Sequence, residues 1–149
     1  MWSDPEVARH IGGKPSTRDE VWMRLLRYGG LWSLLGYGYW VVRERETGRF
    51  VGEVGLADFH RNLDWGPNSE NAPECGWALA PHAHGRGYAT EAVTAALDWR
   101  DRNLPGARTV CLIGPDNGAS LRLADKCGFR FFRDADYHGP VQLFERVVA

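Results

Sequence analysis

No stretch of this 149-residue chain approaches the ~20 consecutive apolar residues that cross a bilayer. Net charge is nearly absent too. The 18 basic and 19 acidic residues leave −1, without the basic excess that binds nucleic acid. Cysteine is scarce: Cys75, Cys111 and Cys127 are odd in number and unpaired in spacing, which points to free thiols in a reducing, cytoplasmic setting. Residues Met1 to Gly13 are polar and lack the apolar core of a signal peptide. Internal repeats, low-complexity tracts and long linkers are missing, so a single domain over residues 1–149 is expected. His82 and His84 stand two apart without a second ligand pair, and no metal is expected.

Tryptophan, by contrast, is abundant. Trp22, Trp32, Trp40, Trp65, Trp77 and Trp99 are spread along the chain and read as core packing before they read as a ligand cage. Ser3 with Glu6, and Thr17 with Glu20, have capping-box spacing and open two helices. The second carries an apolar stripe, Val21, Trp22, Leu25 and Leu26, and should stop near Gly29-Gly30. Tyr37–Arg43 and Phe50–Phe59 read as a hairpin around Glu46-Thr47-Gly48, with Gly52 and Gly55 hinting at a bulge. Turn formers crowd residues 61–73, marking a loop.

The second half reads as a strand at Glu74–Ala80, a His- and Gly-rich turn at Pro81–Gly87 and a helix at Tyr88–Arg102. Ala89, Ala92, Val93, Ala96 and Leu97 form that helix's buried face. Thr109–Ile113 is a short apolar strand, and the crossover length makes it parallel to 74–80. A helix over about Ala119–Cys127 ends at Gly128 with Phe129 behind it, and strands at Phe129–Arg133 and Val141–Val147 complete the chain.

His84-Gly85-Arg86-Gly87-Tyr88-Ala89-Thr90 lies between a strand and a helix. Glycines there let backbone come close to a ligand, and the first helical turn offers unpaired N–H groups and the positive end of the dipole. That is an anion site suited to a pyrophosphate, to which Arg86 adds charge and Thr90 a hydroxyl. Thr at position 90 breaks the dinucleotide fingerprint, and no Gly-Lys-Ser/Thr follows for a nucleotide triphosphate loop. The shape asks for another phosphate-bearing cofactor.

Glu74-Cys75-Gly76-Trp77-Ala78-Leu79-Ala80-Pro81 followed by His84 to Ala92 resembles the acetyl-CoA motif of the GNAT superfamily, Gln/Arg-x-x-Gly-x-Gly/Ala. Gly87 and Ala89 match it, and His84 replaces the usual Gln or Arg. Asn117-Gly118-Ala119-Ser120, ending in Lys126-Cys127-Gly128-Phe129, is similar as well, and the combination looks most like the RimJ/RimL-type branch. The resemblance implies an α/β (α+β) fold: a mixed, mostly antiparallel sheet with a central splayed parallel pair, flanked by helices. It implies acetyl-CoA as co-substrate. The N–H groups of Gly85, Arg86, Gly87, Tyr88 and Ala89 would cradle the pyrophosphate, the strand edge at Leu79 and Ala80 would pair with the pantetheine amides, and Asn117 would bond the same arm.

The implied chemistry is acetyl transfer to a primary amine, either a protein N-terminus or a small molecule, by direct attack on the thioester. Removing a proton from the amine calls for a base. Glu74, at the head of the cofactor strand, is the first candidate, ahead of Asp58 and His60. Ser120 is either the cap of its helix, the simpler reading, or a proton donor to the thiolate. The tyrosine that many relatives carry four residues before the Gly-Phe pair is here Ala124. A CoA-binding regulatory module without catalysis is the alternative reading. The resemblance also implies that the family's first strand is missing, since Asp4-Pro5-Glu6-Val7 comes almost at once. Strand 37–43 should then present an open edge, covered by a partner chain in a homodimer or by residues upstream of Met1.

Overall fold

The computed structural model describes residues 1–67, 69 and 72–148. Asn68, Glu70 and Asn71, within the loop expected over residues 61–73, lie outside the described residues. The chain runs α1 (Pro5–Ala8), α2 (Arg18–Leu35), β1 (Tyr39–Arg43), β2 (Phe50–Ala57), β3 (Glu74–Leu79), a 3-10 turn (Pro81–Ala83), α3 (Tyr88–Asn103), β4 (Arg108–Ile113), α4 (Gly118–Lys126), β5 (Arg130–Asp136) and β6 (Pro140–Val147). The strands form one six-stranded sheet in the order β1-β2-β3-β4-β6-β5, antiparallel except for β3 beside β4. This is the mixed sheet with one central parallel pair that the sequence led us to expect. β1 stands at its end, with β2 alone beside it among the described residues.

Local sequence explains most boundaries. Thr17 and Glu20 form the capping box of α2 in both directions, at 3.3 and 2.8 Å. Gly128, at φ 84°, closes α4. Its N–H bonds the carbonyl of Asp125 and that of Phe129 bonds Ala124, which seats Phe129 in the core.

Three expectations are corrected. α2 does not stop at Gly29-Gly30 but runs on to Leu35 and ends at Gly36, φ 74°. Beyond the two glycines, Leu31 is buried and the Trp32 indole donates to the carbonyl of Tyr39, contacts that offset about 1 kcal/mol lost at each helical glycine. The stripe of Trp22, Leu25 and Leu26 is exposed, and α2 buries Tyr28 and Leu31 instead. Gly55 marks no bulge, since the register on both sides of it is regular, whereas Gly52 does stand beside the hairpin's irregularity: Val42 pairs with Gly52 and Arg43 with Phe50, so Val51 is skipped. The glycines serve close approach, since a Cβ at either would collide with backbone of the neighbouring strand.

The main core lies between the sheet and α3 and α4, built from Val54, Leu56, Cys75, Val93, Leu97, Cys111 and Phe129 among others. The opposite face is covered by α1 and α2 through Trp2, Val7 and Ala78 and through Tyr28, Leu31 and Ala57. A buried acid, Glu53, holds that layer down: it accepts from the Trp2 indole and the Tyr28 hydroxyl, both at 3.0 Å. The tryptophans divide. Trp32, Trp40 and Trp99 pack edge to face, whereas Trp22 is 59% exposed. All three cysteines are free and buried.

Two arginines fasten α3. The Arg100 side chain is buried and donates to the carbonyls of Gly106 and Arg108, closing the α3–β4 turn. Arg146 on β6 grips Asp101 through two bonds of 3.0 and 2.8 Å. Hydrogen bonding from Arg146 holds the Asp101 carboxyl below the ordinary range. A carboxyl depressed in the folded state stabilises above its unfolded pKa of about 3.9 and loses that contribution as pH falls through the folded value. Asp101→Asn is therefore expected to cost about 1.5 kcal/mol at pH 7. The gap to the parent chain should close below about pH 4 in urea titrations.

Candidate active site

The parallel pair β3–β4 is in register at one place, Glu74 opposite Val110, where the Val110 N–H also reaches the carbonyl of Pro73 at 3.0 Å. Beyond it the strands part. The Ala80 N–H bonds Val51 of β2, so by the alternation of an antiparallel ladder the peptide groups of Trp77 and Leu79 face the gap. This corrects one of the two expected pantetheine contacts. Leu79 borders the gap, but Ala80 has its N–H on Val51 and its carbonyl on the Ala83 N–H. His84 turns back from the glycine turn, its Nε2 3.1 Å from the Leu79 carbonyl, a bond made when that nitrogen carries the proton.

At the wide end of the gap, Gly85 (φ 72°) and Gly87 (φ 84°) shape the turn into α3. Gly87 is the N-cap, no side chain caps the helix, and the first bond back to the turn is made by the Glu91 N–H. The N–H groups of Tyr88, Ala89 and Thr90 thus have no helical partner. A Cβ built on Gly85 or Gly87 meets nothing within 4 Å, so the turn that leads to these donors is open at both glycines. The backbone therefore fits a pyrophosphate. The side chains do not simply add to it: Arg86 donates from Nη1 to Glu44 Oε1 at 3.0 Å, and the Tyr88 hydroxyl donates to the same oxygen at 3.0 Å.

At the narrow end, the Glu74 side chain is 11% exposed and accepts from Arg61 Nε and Nη2 at 2.7 and 2.9 Å. The Arg61 guanidinium lies against the rings of Phe59 and Tyr137, 4.6 and 4.7 Å from their centroids. The Tyr39 hydroxyl sits over Gly76, where any Cβ would collide with it, and burial, then the charge of Glu74, pushes its pKa up. A cavity of about 450 Å³ opens here, lined by Phe59, Arg61, Trp65, Glu74 and Val110 among others. Asp58 and His60, the lesser candidates for a base, face one another at 3.4 Å.

The cap of α4 expected at Ser120 is made by Asn117. Asn117 is the N-cap of α4 and accepts from the Ser120 N–H at 3.1 Å, and the Ser120 hydroxyl accepts from the Trp77 indole at 3.1 Å. Both residue types cap well, and the one that begins the helix wins. Arg61 and Glu44 were missed because their partners lie 13 and 42 residues away, beyond any local pattern.

The model of the acetyltransferase (GNAT) domain matches residues 1–130. A solved structure from Bordetella pertussis, assigned to the GnaT acetyltransferase family, is 35% identical; the match covers 96% of this chain and 85% of that one, with a TM-score of 0.82. An acetyltransferase from Agrobacterium tumefaciens is 26% identical, covering 97% and 79%, with a TM-score of 0.79. The uncharacterized protein YkkB of Bacillus subtilis (strain 168) is 28% identical over 151 residues, which is 98% of this chain and 81% of YkkB. The parted strands, the glycine turn and the family match lead to one conclusion: the chain belongs to the GNAT acetyltransferases.

Proposed function

We propose that the protein transfers the acetyl group of acetyl-CoA to a primary amine, in the manner of the RimJ/RimL-type branch. The observation that carries this reading is the gap. β3 and β4 meet at Glu74 and Val110, then leave the peptide groups of Trp77 and Leu79 without ladder partners, with the open turn of Gly85–Thr90 at the wide end. Amides of an extended arm replace missing rungs as an added strand would, and helix N–H groups suit phosphates. When bound, acetyl-CoA supplies an activated carbonyl. The protein supplies position, a polar N–H from β3 where charge develops on oxygen, and a base.

Glu74 is our choice of base. Arg61 fixes both of its oxygens, so the amine proton reaches a remaining lone pair through one water. The side chain of Asn117 spends its oxygen on the α4 cap and keeps its N–H donors for the arm. A thiol with a pKa near ~8.5 leaves without full protonation. Ser120→Ala is accordingly expected to lose at most about tenfold in kcat, roughly 1.4 kcal/mol. A thousandfold loss with unchanged acetyl-CoA affinity would make Ser120 the acid.

The acceptor is an amine on a peptide N-terminus or a small molecule, and the place of action is the cytoplasm, in keeping with the buried free thiols. Among the described residues no helix is long and apolar enough to cross a membrane. Among the described residues no strand pairs with the outer edge of β1, where Val41 is 57% exposed, and this supports cover by a partner chain. The test is thiol release from acetyl-CoA in the presence of peptides, polyamines or aminoglycosides. Release that depends on one amine class is expected. No release with any of them, together with no acetyl-CoA binding, would overturn the reading.

A further inference from the structure

Glu44 follows β1, in the turn of the hairpin, and nothing in the chemistry above requires it. Its side chain is 13% exposed and is held by three donors from two parts of the fold. Thr47, in the same turn, donates its hydroxyl to Oε2 at 2.6 Å. Arg86 Nη1 and the Tyr88 hydroxyl, both from the α3 turn, donate to Oε1 at 3.0 Å each. These hydrogen bonds, that of Thr47 first, hold its carboxyl below the ordinary range.

The consequence falls on Arg86. Its guanidinium carbon lies 4.8 Å from the centroid of the Tyr88 ring, and one nitrogen is bound to Glu44. Among the described residues Nε and Nη2 make no hydrogen bond or ion pair. Half of the Arg86 side chain is exposed, as an unanchored surface arginine would be, yet it is fixed on two sides. A guanidinium held at one nitrogen and set against a ring presents its remaining donors in a set direction, and such planar donors are how arginine binds phosphate with geometric fidelity.

Resting on the acetyl-CoA reading, we propose that Glu44 is a positioning residue for the cofactor: it preorganises Arg86 so that Nε and Nη2 meet a phosphate beside the N–H groups of α3. Two effects oppose each other when Glu44 is removed. Its negative charge repels an anionic cofactor, but that charge is already matched at contact by Arg86 and is screened by salt. Releasing Arg86 restores the freedom of a long side chain, which binding must then remove. The second effect is the larger.

The test is calorimetry of acetyl-CoA with the parent chain, Glu44→Ala, Arg86→Ala and the double variant. Arg86→Ala should weaken binding about tenfold and Glu44→Ala about fivefold, the size of one side chain's ordering cost. The double variant should bind no more weakly than Arg86→Ala, because Glu44 acts through Arg86. Glu44→Gln, which keeps acceptors for Thr47 and Tyr88, should fall between parent and alanine and serves in its place if the alanine variant does not fold. S-acetyl-pantetheine, which carries no phosphate on the arm, should show the same KM with every variant. Glu44 variants of unchanged or tighter affinity, losses that add to that of Arg86→Ala, or an equal loss with S-acetyl-pantetheine would overturn the proposal. If the parent chain itself fails to bind acetyl-CoA, the cofactor reading falls with it, a distinct result.

Discussion

Gly87→Val is expected to weaken acetyl-CoA binding by at least tenfold, about 1.4 kcal/mol. Two independent effects contribute. Gly87 sits at φ 84°, a backbone conformation that costs a β-branched residue about 1–3 kcal/mol, so the turn would shift away from its open form. A Cβ there also meets nothing of the protein within 4 Å. The added methyl groups are therefore expected to obstruct phosphates that approach the Tyr88, Ala89 and Thr90 N–H groups. Gly87→Ala should show the backbone part with less of the obstruction. Calorimetry on folded variants, checked by thermal denaturation, measures both. A folded Gly87→Val protein with the parent's Kd would remove the turn from the cofactor site.

The second large effect is expected at Glu74. As a general base it is worth roughly 10²–10⁴ in rate, so Glu74→Gln should lose at least about a hundredfold in kcat. Structure alone would produce a different pattern. Arg61→Met leaves a nearly buried carboxylate without its partner, and breaking such a pair costs about 3–5 kcal/mol when both ions are buried. Arg61 is 21% exposed, so solvent reduces this to about 1–3 kcal/mol. If Glu74 only anchors Arg61, Glu74→Gln will lower the melting temperature and leave kcat per folded molecule intact. Steady-state kinetics from pH 6 to 10 beside urea titrations tell the two apart.

The sequence was most legible where short-range rules decide. The period of α3, the capping box of α2 and the glycine stop at Gly128 each depend on residues within one or two turns. The parallel pairing of β3 and β4 followed from connection length. Long-range partners were not legible. Gly29 and Gly30 look like a helix end until Leu31 and Trp32 find the sheet, and the stripe of Trp22, Leu25 and Leu26 obeys helical spacing while facing outward. At the site, the position of Glu74 was readable but its hold by Arg61 was not, and Arg86 was readable as a cation but not as one already matched by Glu44.

The parted strands β3 and β4 give this sheet inner borders in addition to its outer ones. An exposed border of backbone N–H and C=O groups invites any extended chain to join it, the route by which sheet proteins aggregate. Here the danger is limited by shape. The borders diverge from a closed corner at Glu74 and Val110, and α3 and α4 pack across one face. A full strand from another molecule brings side chains on both faces of its backbone and cannot be seated in a wedge closed at one end. A thin chain with a few amides and little side-chain bulk can enter, so the opening that admits a substrate arm also keeps foreign strands out of the middle of the sheet.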